Sequence, residues 1–299
     1  GKLDAPPEEV HDRAALVLVQ VAAPQHLDRP AQLVVFDRVP LKLDDLAGGG
    51  RGAAQHGVHS IDPAVDAEEI QIWTDVDGMM TTDPRVIEQA RVIDLISYAE
   101  AAELAYFGAK VLHPKTIAPA VEREIPIRVK NTHNPDAPGT LITSTGKGTG
   151  AEPRAVAIKR GISVIDVSSP EMLGVSGMLS RIFDVFREKG ISVDVVSTSE
   201  VSVSATFDRP EMSDSLCEEL EQYGRVVVHR DQVLIGIVGS ALLSNPRSGS
   251  RIFDALADVP VTLLSLASGG INLCIVVSGS DADRALRQIH SAIFEGKDE

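Results

Sequence analysis

Polar and charged residues that could bind or transfer a charged group are concentrated between residues 73 and 114. They are Thr74, Asp75, Asp77, Thr81, Thr82, Asp83, Arg85, Lys110 and His113. The turn-forming sequences around them put most of these residues at the ends of short predicted strands and helices. Ligands of open α/β layers bind where such ends converge, so this stretch is our candidate binding region. A series of capped surface turns is an equally good interpretation of the same residues.

The sequence lacks the patterns of several common active sites. It has no Gly-x-x-x-x-Gly-Lys-Ser/Thr loop, which argues against a P-loop nucleotidase. It has no Gly-x-Ser-x-Gly nucleophile elbow either. His56 and His59 lie three residues apart without a cysteine pair nearby, so we interpret them as solvent-exposed side chains. The sequence therefore predicts no metal site built from protein side chains.

The composition excludes several kinds of partner. The chain has 299 residues and a net charge of −15, which argues against a general nucleic-acid binder and against docking on an anionic membrane. Its apolar runs are far shorter than the ~20 residues that span a bilayer, and no signal-peptide pattern is visible. Cys217 and Cys274 are predicted to be free thiols. We expect a cytoplasmic protein with several domains and with no nucleic-acid or membrane partner.

The elements that would position the candidate residues become clear only after residue 67. Residues 1–67 show little periodicity, and only 16–21 and 33–36 could be strands. Farther along, 70–74 and 125–129 predict strands and 97–107 predicts a helix. The stretch 144–153, rich in Gly, Ser and Thr, marks a domain boundary. We therefore predict an atypical segment at 1–67 and a first domain at 68–145.

A repeated pentapeptide divides the second half into two similar units. Ser-Arg-Ile-Phe-Asp occurs at 180–184 and again at 250–254. Strands are predicted at 162–167, 192–196, 201–207, 233–238, 261–265 and 271–277, and further helices at 213–223 and 281–294. Two consecutive β-α-β-β-α-β units predict two ferredoxin-like domains, at 155–231 and 232–297. In the first repeat helix, the predicted core-facing residues are Met178, Leu179, Ile182, Phe183 and Phe186.

Long ordered motifs in this chain resemble the aspartate kinase family. Residues 73–85 read Trp-Thr-Asp-Val-Asp-Gly-Met-Met-Thr-Thr-Asp-Pro-Arg, and residues 104–114 read Leu-Ala-Tyr-Phe-Gly-Ala-Lys-Val-Leu-His-Pro. Arg-Val-Lys-Asn at 128–131 and Gly-Thr-Leu-Ile at 139–142 resemble the end of the family's kinase domain. The resemblance extends from about residue 68 to the C-terminus. It implies the C-terminal part of an α/β three-layer amino-acid-kinase sandwich, followed by two ferredoxin-like ACT regulatory domains.

The resemblance implies transfer of the ATP γ-phosphoryl group to the side-chain carboxylate of L-aspartate, with Mg²⁺ accompanying the nucleotide. By similarity, Thr74 and Asp75 contact the ribose and base side, Arg85 and Lys110 contact the phosphates, and the backbone of Val111 contacts the adenine. The acceptor carboxylate, with a pKa of ~3.9, is already ionised at neutral pH. Transfer therefore depends on alignment and on cations rather than on a general base. Met80 replaces the family's usual Tyr and removes a stacking contact.

The first part of the chain departs from the family pattern. The family's Lys-Phe-Gly-Gly-Thr-Ser motif, whose lysine holds the transferred phosphoryl group, does not occur in the sequence. Its Gly-Arg-Gly-Gly-Ser-Asp motif is matched only by Gly-Arg-Gly at 50–52, so Arg51 alone is carried over as a catalytic candidate. A plain glycine-rich loop is an equally good interpretation of 48–52. We expect residues 1–67 to come from a truncated or frameshifted gene, which sequencing the locus would test.

The first ferredoxin-like unit resembles that of lysine-inhibited members of the family. By similarity, the effector contacts are Met172, Val175, Leu179, Ser192, Val193, Asp194, Thr198, Ser199 and Glu200. A helix N-terminus suits the effector's carboxylate, and Asp194 or Glu200 could pair with its ammonium groups. Val175 stands where a polar residue is common in the family. Such domains pair edge to edge between subunits, so the resemblance also implies a homodimer or a larger assembly.

Three functional hypotheses are compatible with the sequence. The first is a lysine-regulated aspartate kinase, for which Lys110→Ala should abolish turnover. The second is a non-catalytic regulatory subunit or fragment that binds the effector. The third, an unrelated amino-acid-sensing module, requires the match over 73–114 to be accidental.

Overall fold

The computed structural model describes 16–20 and 33–35 as backbone strands, and describes 69–107, 120–146, 152–240, 242, 245–266 and 269–295 with their side chains. The chain forms two compact units. One comprises residues 1–79, 92–98 and 111–146, and the other comprises 80–91, 99–110 and 147–299. Each unit is built around its own six-stranded sheet.

The sheet of the first unit contains both parallel and antiparallel pairs. Its strands are β1 (Leu16–Gln20), β2 (Leu33–Val35), β3 (Glu69–Thr74), β4 (Leu95–Ser97), β5 (Ile127–Asn131) and β6 (Thr140–Thr143), in the order β2-β1-β3-β5-β6-β4. β3 is parallel to β5 and β4 is parallel to β6, whereas the other pairs are antiparallel. The two strands predicted within residues 1–67 are confirmed. Helix α1 (Tyr98–Tyr106) follows β4, close to the predicted 97–107.

The second unit contains α1 from Ala99 onwards and the elements that follow β6. The latter are β7 (Ala155–Ser168), α2 (Met178–Glu188), β8 (Val196–Thr198), β9 (Ser202–Phe207), α3 (Ser213–Leu220), β10 (Arg225–Val238), α4 (Pro246–Asp254), β11 (Val261–Leu266), β12 (Asn272–Ser278) and α5 (Ala282–Phe294). The strand order is β11-β12-β10-β7-β9-β8, and every neighbouring pair is antiparallel. We call β7, α2, β8, β9 and α3 the first copy, and β10, α4, β11, β12 and α5 the second copy.

Two long strands join the copies, which differs from the prediction of two consecutive units. β7 and β10 are each 14 residues long. The second half of β7 pairs with β9 and with the first half of β10, whereas residues 155–159 pair with residues 234–238. Residues 155–159 therefore add the fourth strand of the second copy, although they precede the first copy in the chain. The predicted boundary at 231/232 falls inside β10.

Each copy has its own hydrophobic core. Ile165, Ile182, Phe186, Phe207 and Leu216 are among the buried residues of the first, and Val156, Ile237, Ile252, Ile275 and Leu286 are among those of the second. The exposed fraction of each of these side chains is 2% or less, which accounts for the apolar spacing seen in the sequence. Ile87, from the segment that precedes β4, also belongs to the second core.

Two local predictions in the first copy are wrong. Leu179 was predicted to face the core, but it is 44% exposed, because Ile182, Val185 and Phe186 fill the buried side of α2. The strand predicted at 192–196 begins only at Val196. Before it, the Val195 amide donates to the hydroxyl of Thr206 at 2.8 Å, so a side chain takes part in the pairing.

Two further sequence predictions were that both cysteines are free and that the chain has no membrane-spanning segment. Cys217 and Cys274 are both free, and burial raises the pKa of the Cys274 thiol to about 12. In the part of the chain that the structure describes, no helix has the length and apolar character needed to cross a membrane.

Candidate functional site

A polar cluster lies where two neighbouring parallel strands end. Thr74, the last residue of β3, is paired with Asn131, the last residue of β5. The amide and the hydroxyl of Thr132 both donate to the Thr74 carbonyl, at 2.9 and 3.0 Å. The Thr74 hydroxyl donates to the Asp75 carboxylate at 3.1 Å. The structure thus places the consecutive predicted residues Thr74 and Asp75 at the carboxyl edge of a parallel pair, where α/β sheets bind ligands.

The turn that follows Thr74 is held tightly against β5 and β6. The side-chain amides of Asn131 and Asn134 donate to Asp77 Oδ1, at 2.7 and 3.3 Å. Gly78 has a φ of +152°, and a Cβ there would lie 2.5 Å from Thr140 Oγ1. Only glycine fits this close approach. The turn therefore presents its carboxylates from a fixed backbone.

An aromatic residue and a cation lie beside this edge. Lys130 Nζ lies 5.1 Å from the centre of the Trp73 ring, within the range of a cation–π contact. The Trp73 indole nitrogen is buried, and no described group accepts its hydrogen. Hydroxyl, carboxylate and amide groups on a rigid edge, next to an aromatic ring, can bind the hydroxyls and the flat base of a nucleoside.

The described residues contain no cluster of His, Cys, Asp or Glu that could hold a metal ion. Mg²⁺ binds through one or two carboxylates and the phosphates of the substrate in many phosphoryl-transfer sites. Asp75 and Asp77 satisfy that modest requirement in chemical type. His56 and His59, predicted to be exposed, lie outside the described residues.

Arg85, the predicted phosphate contact, belongs to the second unit. Its guanidinium pairs with the Asp83 carboxylate at 2.6 Å, and its side chain is 74% exposed. The segment around it is fixed to the second copy: the Val156 amide donates to the Thr81 carbonyl at 2.7 Å, and Arg287 donates to the Val86 carbonyl at 3.1 Å. The loop that carries Arg85 is thus anchored to the sheet and helix layer of the second copy.

A buried histidine also holds this loop, and no sequence pattern indicated it. His290 on α5 is 1% exposed, and its Nε2 lies 3.1 Å from the Thr81 hydroxyl. That hydroxyl also accepts the Arg91 amide at 3.0 Å, and it still has a hydrogen and a second lone pair with which to bond Nε2. Burial lowers the pKa of His290, although Glu295, 3.4 Å from Nδ1, acts in the opposite direction. Neutral His290 is therefore the form that fits this hydrogen bond.

The predicted effector residues of the first helix surround an open helix start. α2 begins after Gly177, which has a φ of +83° and no side chain to cap the first amides. Val175 is 48% exposed and Leu179 is 44% exposed on either side of it, whereas Met172 is buried in the first core. Free amides and exposed apolar side chains can bind a carboxylate that carries an aliphatic chain.

The remaining predicted effector residues lie just before β8, at its last residue, and just after it. Ser192, Thr198, Ser199 and Glu200 are exposed, and Val193 packs partly against the first core. The Ser199 amide donates to the Ser202 carbonyl at 2.9 Å, which closes a tight turn between β8 and β9. This turn leaves the Glu200 carboxylate in solvent.

Asp194 differs from the other predicted effector residues because its carboxylate is covered. Its side chain is 3% exposed, and its Oδ2 pairs with Lys159 Nζ at 2.7 Å. Its other oxygen accepts the hydroxyl of Tyr106, at the end of α1. Burial and the Asp194 carboxylate raise the pKa of Tyr106, which keeps the phenol protonated. Sequence reasoning missed these partners, which come from distant parts of the chain.

Three predicted site residues have no described position. Arg51, Lys110 and Val111 lie outside the described residues. Thr74 and Asp75 belong to the first unit, and Arg85 and all the predicted effector residues belong to the second.

Comparison with known proteins finds an amino acid kinase part followed by an ACT part, a division that differs from that of the two compact units. Residues 61–131 match the amino acid kinase family, and residues 165–217 and 235–293 match the ACT domain. Aspartokinase 1 of Arabidopsis thaliana is 38% identical over 260 residues, which are 83% of this chain and 46% of the relative. Lysine-sensitive aspartokinase 3 of Escherichia coli is 37% identical over 254 residues, 82% of this chain and 56% of the relative. The chain thus spans about half the length of these relatives.

Solved structures of aspartokinases are also similar to this chain. Escherichia coli aspartokinase III in complex with aspartate and ADP superposes with a TM-score of 0.71 at 36% identity, covering 82% of this chain and 56% of that one. The same enzyme in complex with lysine and aspartate gives a TM-score of 0.69 with the same coverage. These matches confirm the predicted fold class, namely an amino-acid-kinase part followed by ACT domains.

Proposed function

The chain belongs to the aspartokinase family, and we propose that it takes part in transferring the γ-phosphoryl group of ATP to the side-chain carboxylate of L-aspartate, under feedback control by lysine. The product is 4-phospho-L-aspartate. The observation that carries the proposal is the polar edge formed by Thr74, Asp75 and Asp77 at the ends of β3 and β5. This edge lies within the segment that matches the amino acid kinase family.

In this proposal the nucleotide lies along that edge. Thr74 and Asp75 bind the ribose and base side, and the Val111 backbone contacts the adenine. Arg85 and Lys110 neutralise the phosphates, and Arg51 contacts the aspartate. An edge carboxylate, Asp75 or Asp77, would hold Mg²⁺ together with the phosphates, and the ion would supply positive charge to the transferred group. The ADP and aspartate named for the Escherichia coli neighbour support these two ligands.

The chain's own groups act through charge and position. Asp83 holds the Arg85 guanidinium beside the Thr81–Arg85 turn, so little rotamer freedom is lost when a phosphate binds. The acceptor carboxylate needs no base, because it is ionised at neutral pH. The absence of a Ser–His or Cys–His pair from the motif region is therefore compatible with the reaction.

Lysine is the proposed effector, and the first copy is its proposed site. The open start of α2 suits a carboxylate, Val175 and Leu179 suit the aliphatic chain, and Glu200 suits an ammonium group. Met172, Ser192, Val193, Thr198 and Ser199 complete the proposed set, and Asp194 is considered separately below. The lysine named in the second Escherichia coli complex supports this choice.

A second candidate function is a regulatory chain that binds the effector without catalysing transfer. It is favoured by the structure of the second unit, in which the two copies share one six-stranded sheet and each has its own hydrophobic core. Under either function we propose a cytoplasmic protein that assembles through these domains. Leu173, Val196 and Val201 are 62%, 37% and 41% exposed in the first copy and are suited to such an interface.

The test is ATP- and Mg²⁺-dependent formation of aspartyl phosphate by the purified chain, trapped as the hydroxamate. Arg85→Gln should reduce this activity strongly, because a phosphate loses its guanidinium. Arg209→Gln is the matched control, since Arg209 is also exposed and also pairs with a carboxylate two residues away. Lysine-induced thermal stabilisation shows that the protein is folded. Activity that lysine suppresses supports the kinase, whereas stabilisation without activity supports the regulatory chain.

A further inference from the structure

The covered carboxylate of Asp194 has two partners that come from outside the proposed effector residues. Lys159 lies on β7, and Tyr106 is the last residue of α1. Lys159 Nζ is 2.7 Å from one Asp194 oxygen and 5.3 Å from the centre of the Tyr106 ring. An ammonium, a phenol and a carboxylate therefore form one compact cluster on the second unit.

This cluster resembles an occupied ammonium site. A carboxylate that is 3% exposed would be costly if it were unpaired, and the Lys159 ammonium satisfies it from within the chain. An effector with an ammonium group offers the same chemistry. The effector and Lys159 therefore compete for the same oxygen of Asp194.

Lys159 has a second partner to which it can turn. Its Nζ is 3.3 Å from Asp208 Oδ2, and the Asp208 side chain is 47% exposed. If an effector ammonium takes Asp194, Lys159 keeps an ion pair with Asp208. Displacing Lys159 thus leaves no charge without a partner.

We propose that Lys159 and Tyr106 close the Asp194 carboxylate in the effector-free protein, and that the ammonium group of an amino-acid effector displaces Lys159 from Oδ2 and turns the carboxylate, so that Oδ1 no longer accepts the Tyr106 hydroxyl. This inference rests on the proposed effector function of the first copy. Tyr106 precedes Lys110 by four residues in the chain, and Phe107 packs against Gly236, where a Cβ would lie 2.7 Å from its ring. Release of Tyr106 therefore frees the end of α1, which precedes the proposed phosphate contact Lys110 in the chain.

The test is a calorimetric titration of lysine into the full chain and four variants. Lys159→Met and Tyr106→Phe should each bind lysine at least about fivefold tighter, because the internal competitor is weakened. Lys189→Met is the control for the first, since Lys189 bonds Ser215 and Glu219 instead. Tyr98→Phe is the control for the second, since the Tyr98 hydroxyl donates to the Ile125 carbonyl. Both controls should leave the affinity unchanged.

A second readout reports on α1 itself. Hydrogen exchange over residues 98–107 should rise when lysine saturates the wild-type chain, because Tyr106 loses its acceptor. In Tyr106→Phe the same segment should exchange faster without lysine and change little when lysine is added.

The outcomes separate this inference from the proposed function. Lysine binding of equal strength in all five proteins would overturn the competition and leave the effector function intact. Weaker binding by Lys159→Met would also overturn it, since Lys159 would then be an effector contact. If no protein binds lysine, the proposed effector function fails and the inference fails with it. Should Lys159→Met not fold, Tyr106→Phe and the exchange measurement decide alone.

Discussion

The helices of the two copies share five residues but begin differently. Ile182 in α2 and Ile252 in α4 occupy the same place in the pentapeptide, and both are fully buried. α4 begins at Pro246 and is capped by the preceding residue, Asn245, whose side chain accepts the Arg247 amide at 3.1 Å. α2 begins after Gly177, which has no side chain to offer.

This difference shows that separate residues control the packing of each helix and the availability of its first amides for binding. The pentapeptide directs one side of each helix into a core, and the residues before it decide whether the first amides are capped. A capped start uses amides that a ligand would need, and an uncapped start leaves them available. The first copy thus has the open start that an amino-acid carboxylate requires, and the second copy has a closed one.

The largest expected effect on stability comes from the buried isoleucine that the two pentapeptides share. Ile182→Ala and Ile252→Ala should each lower the free energy of unfolding by about 2–5 kcal/mol, because each leaves a cavity in a close-packed core. Urea unfolding monitored by circular dichroism measures both. A cost below 1 kcal/mol at either site would mean that the pentapeptide does not do the same work in the two copies.

The next effect concerns the loop that the second copy holds through His290. His290→Gln should lower the free energy of unfolding by about 1–3 kcal/mol at pH 8, because the buried Thr81 hydroxyl loses its partner. The pH dependence has a definite sign. Burial lowers the pKa of His290 below 6.5, so the unfolded chain binds the proton more readily and the wild type loses stability as the pH falls from 6.5 towards the folded pKa.

The control for this prediction is the difference between the two proteins. Carboxylates titrate in both, so only the part of the acid-side slope that His290→Gln removes is assigned to His290. Thermal unfolding at several values between pH 5 and pH 8 measures it. Parallel curves for the wild type and the variant would contradict the assignment.

A smaller effect tests the capped start of α4. Asn245→Ala should cost about 1 kcal/mol, because the Arg247 amide loses its acceptor. Lysine affinity should remain unchanged, since the second copy is not the proposed site. A large loss of lysine binding, measured by calorimetry, would move the effector site to the second copy.

The smallest expected effect on stability lies at the open start of α2. Leu179→Ser should change the free energy of unfolding by less than about 0.5 kcal/mol, because the side chain is already 44% exposed. The same change should weaken lysine binding, because the aliphatic chain of the effector loses an apolar contact. Normal affinity in Leu179→Ser would argue that the effector binds elsewhere.

Local patterns predicted most elements of the fold. The apolar spacing of α2 and α5 and the β-rich runs of β9 and β12 are set by neighbouring residues, so their positions could be read from the sequence. The pairing of residues 155–159 with the second copy could not be predicted, because the residues that pair with them lie far along the chain, at 234–238. Strand pairing over such distances leaves no periodic signal in the chain.

The same reason limits what could be predicted about the sites. Thr74 and Asp75 are consecutive residues of the motif, so the sequence placed them together at the end of β3, and the parallel pairing with β5 adds Asn131 beside them. His290 and Thr81 are 209 residues apart, and a single histidine on an amphipathic helix has no distinguishing pattern. Asp194 looked like an open carboxylate because its partner Lys159 lies 35 residues earlier.

Hydrogen exchange of the full chain with and without lysine tests the central claim most directly. If the open helix start of the first copy binds the effector, lysine should protect residues 172–179 and 192–200 and leave 245–252 unchanged. Protection confined to 245–252, or no protection in either copy, would contradict the claim that the uncapped start of α2 makes the first copy the sensing site.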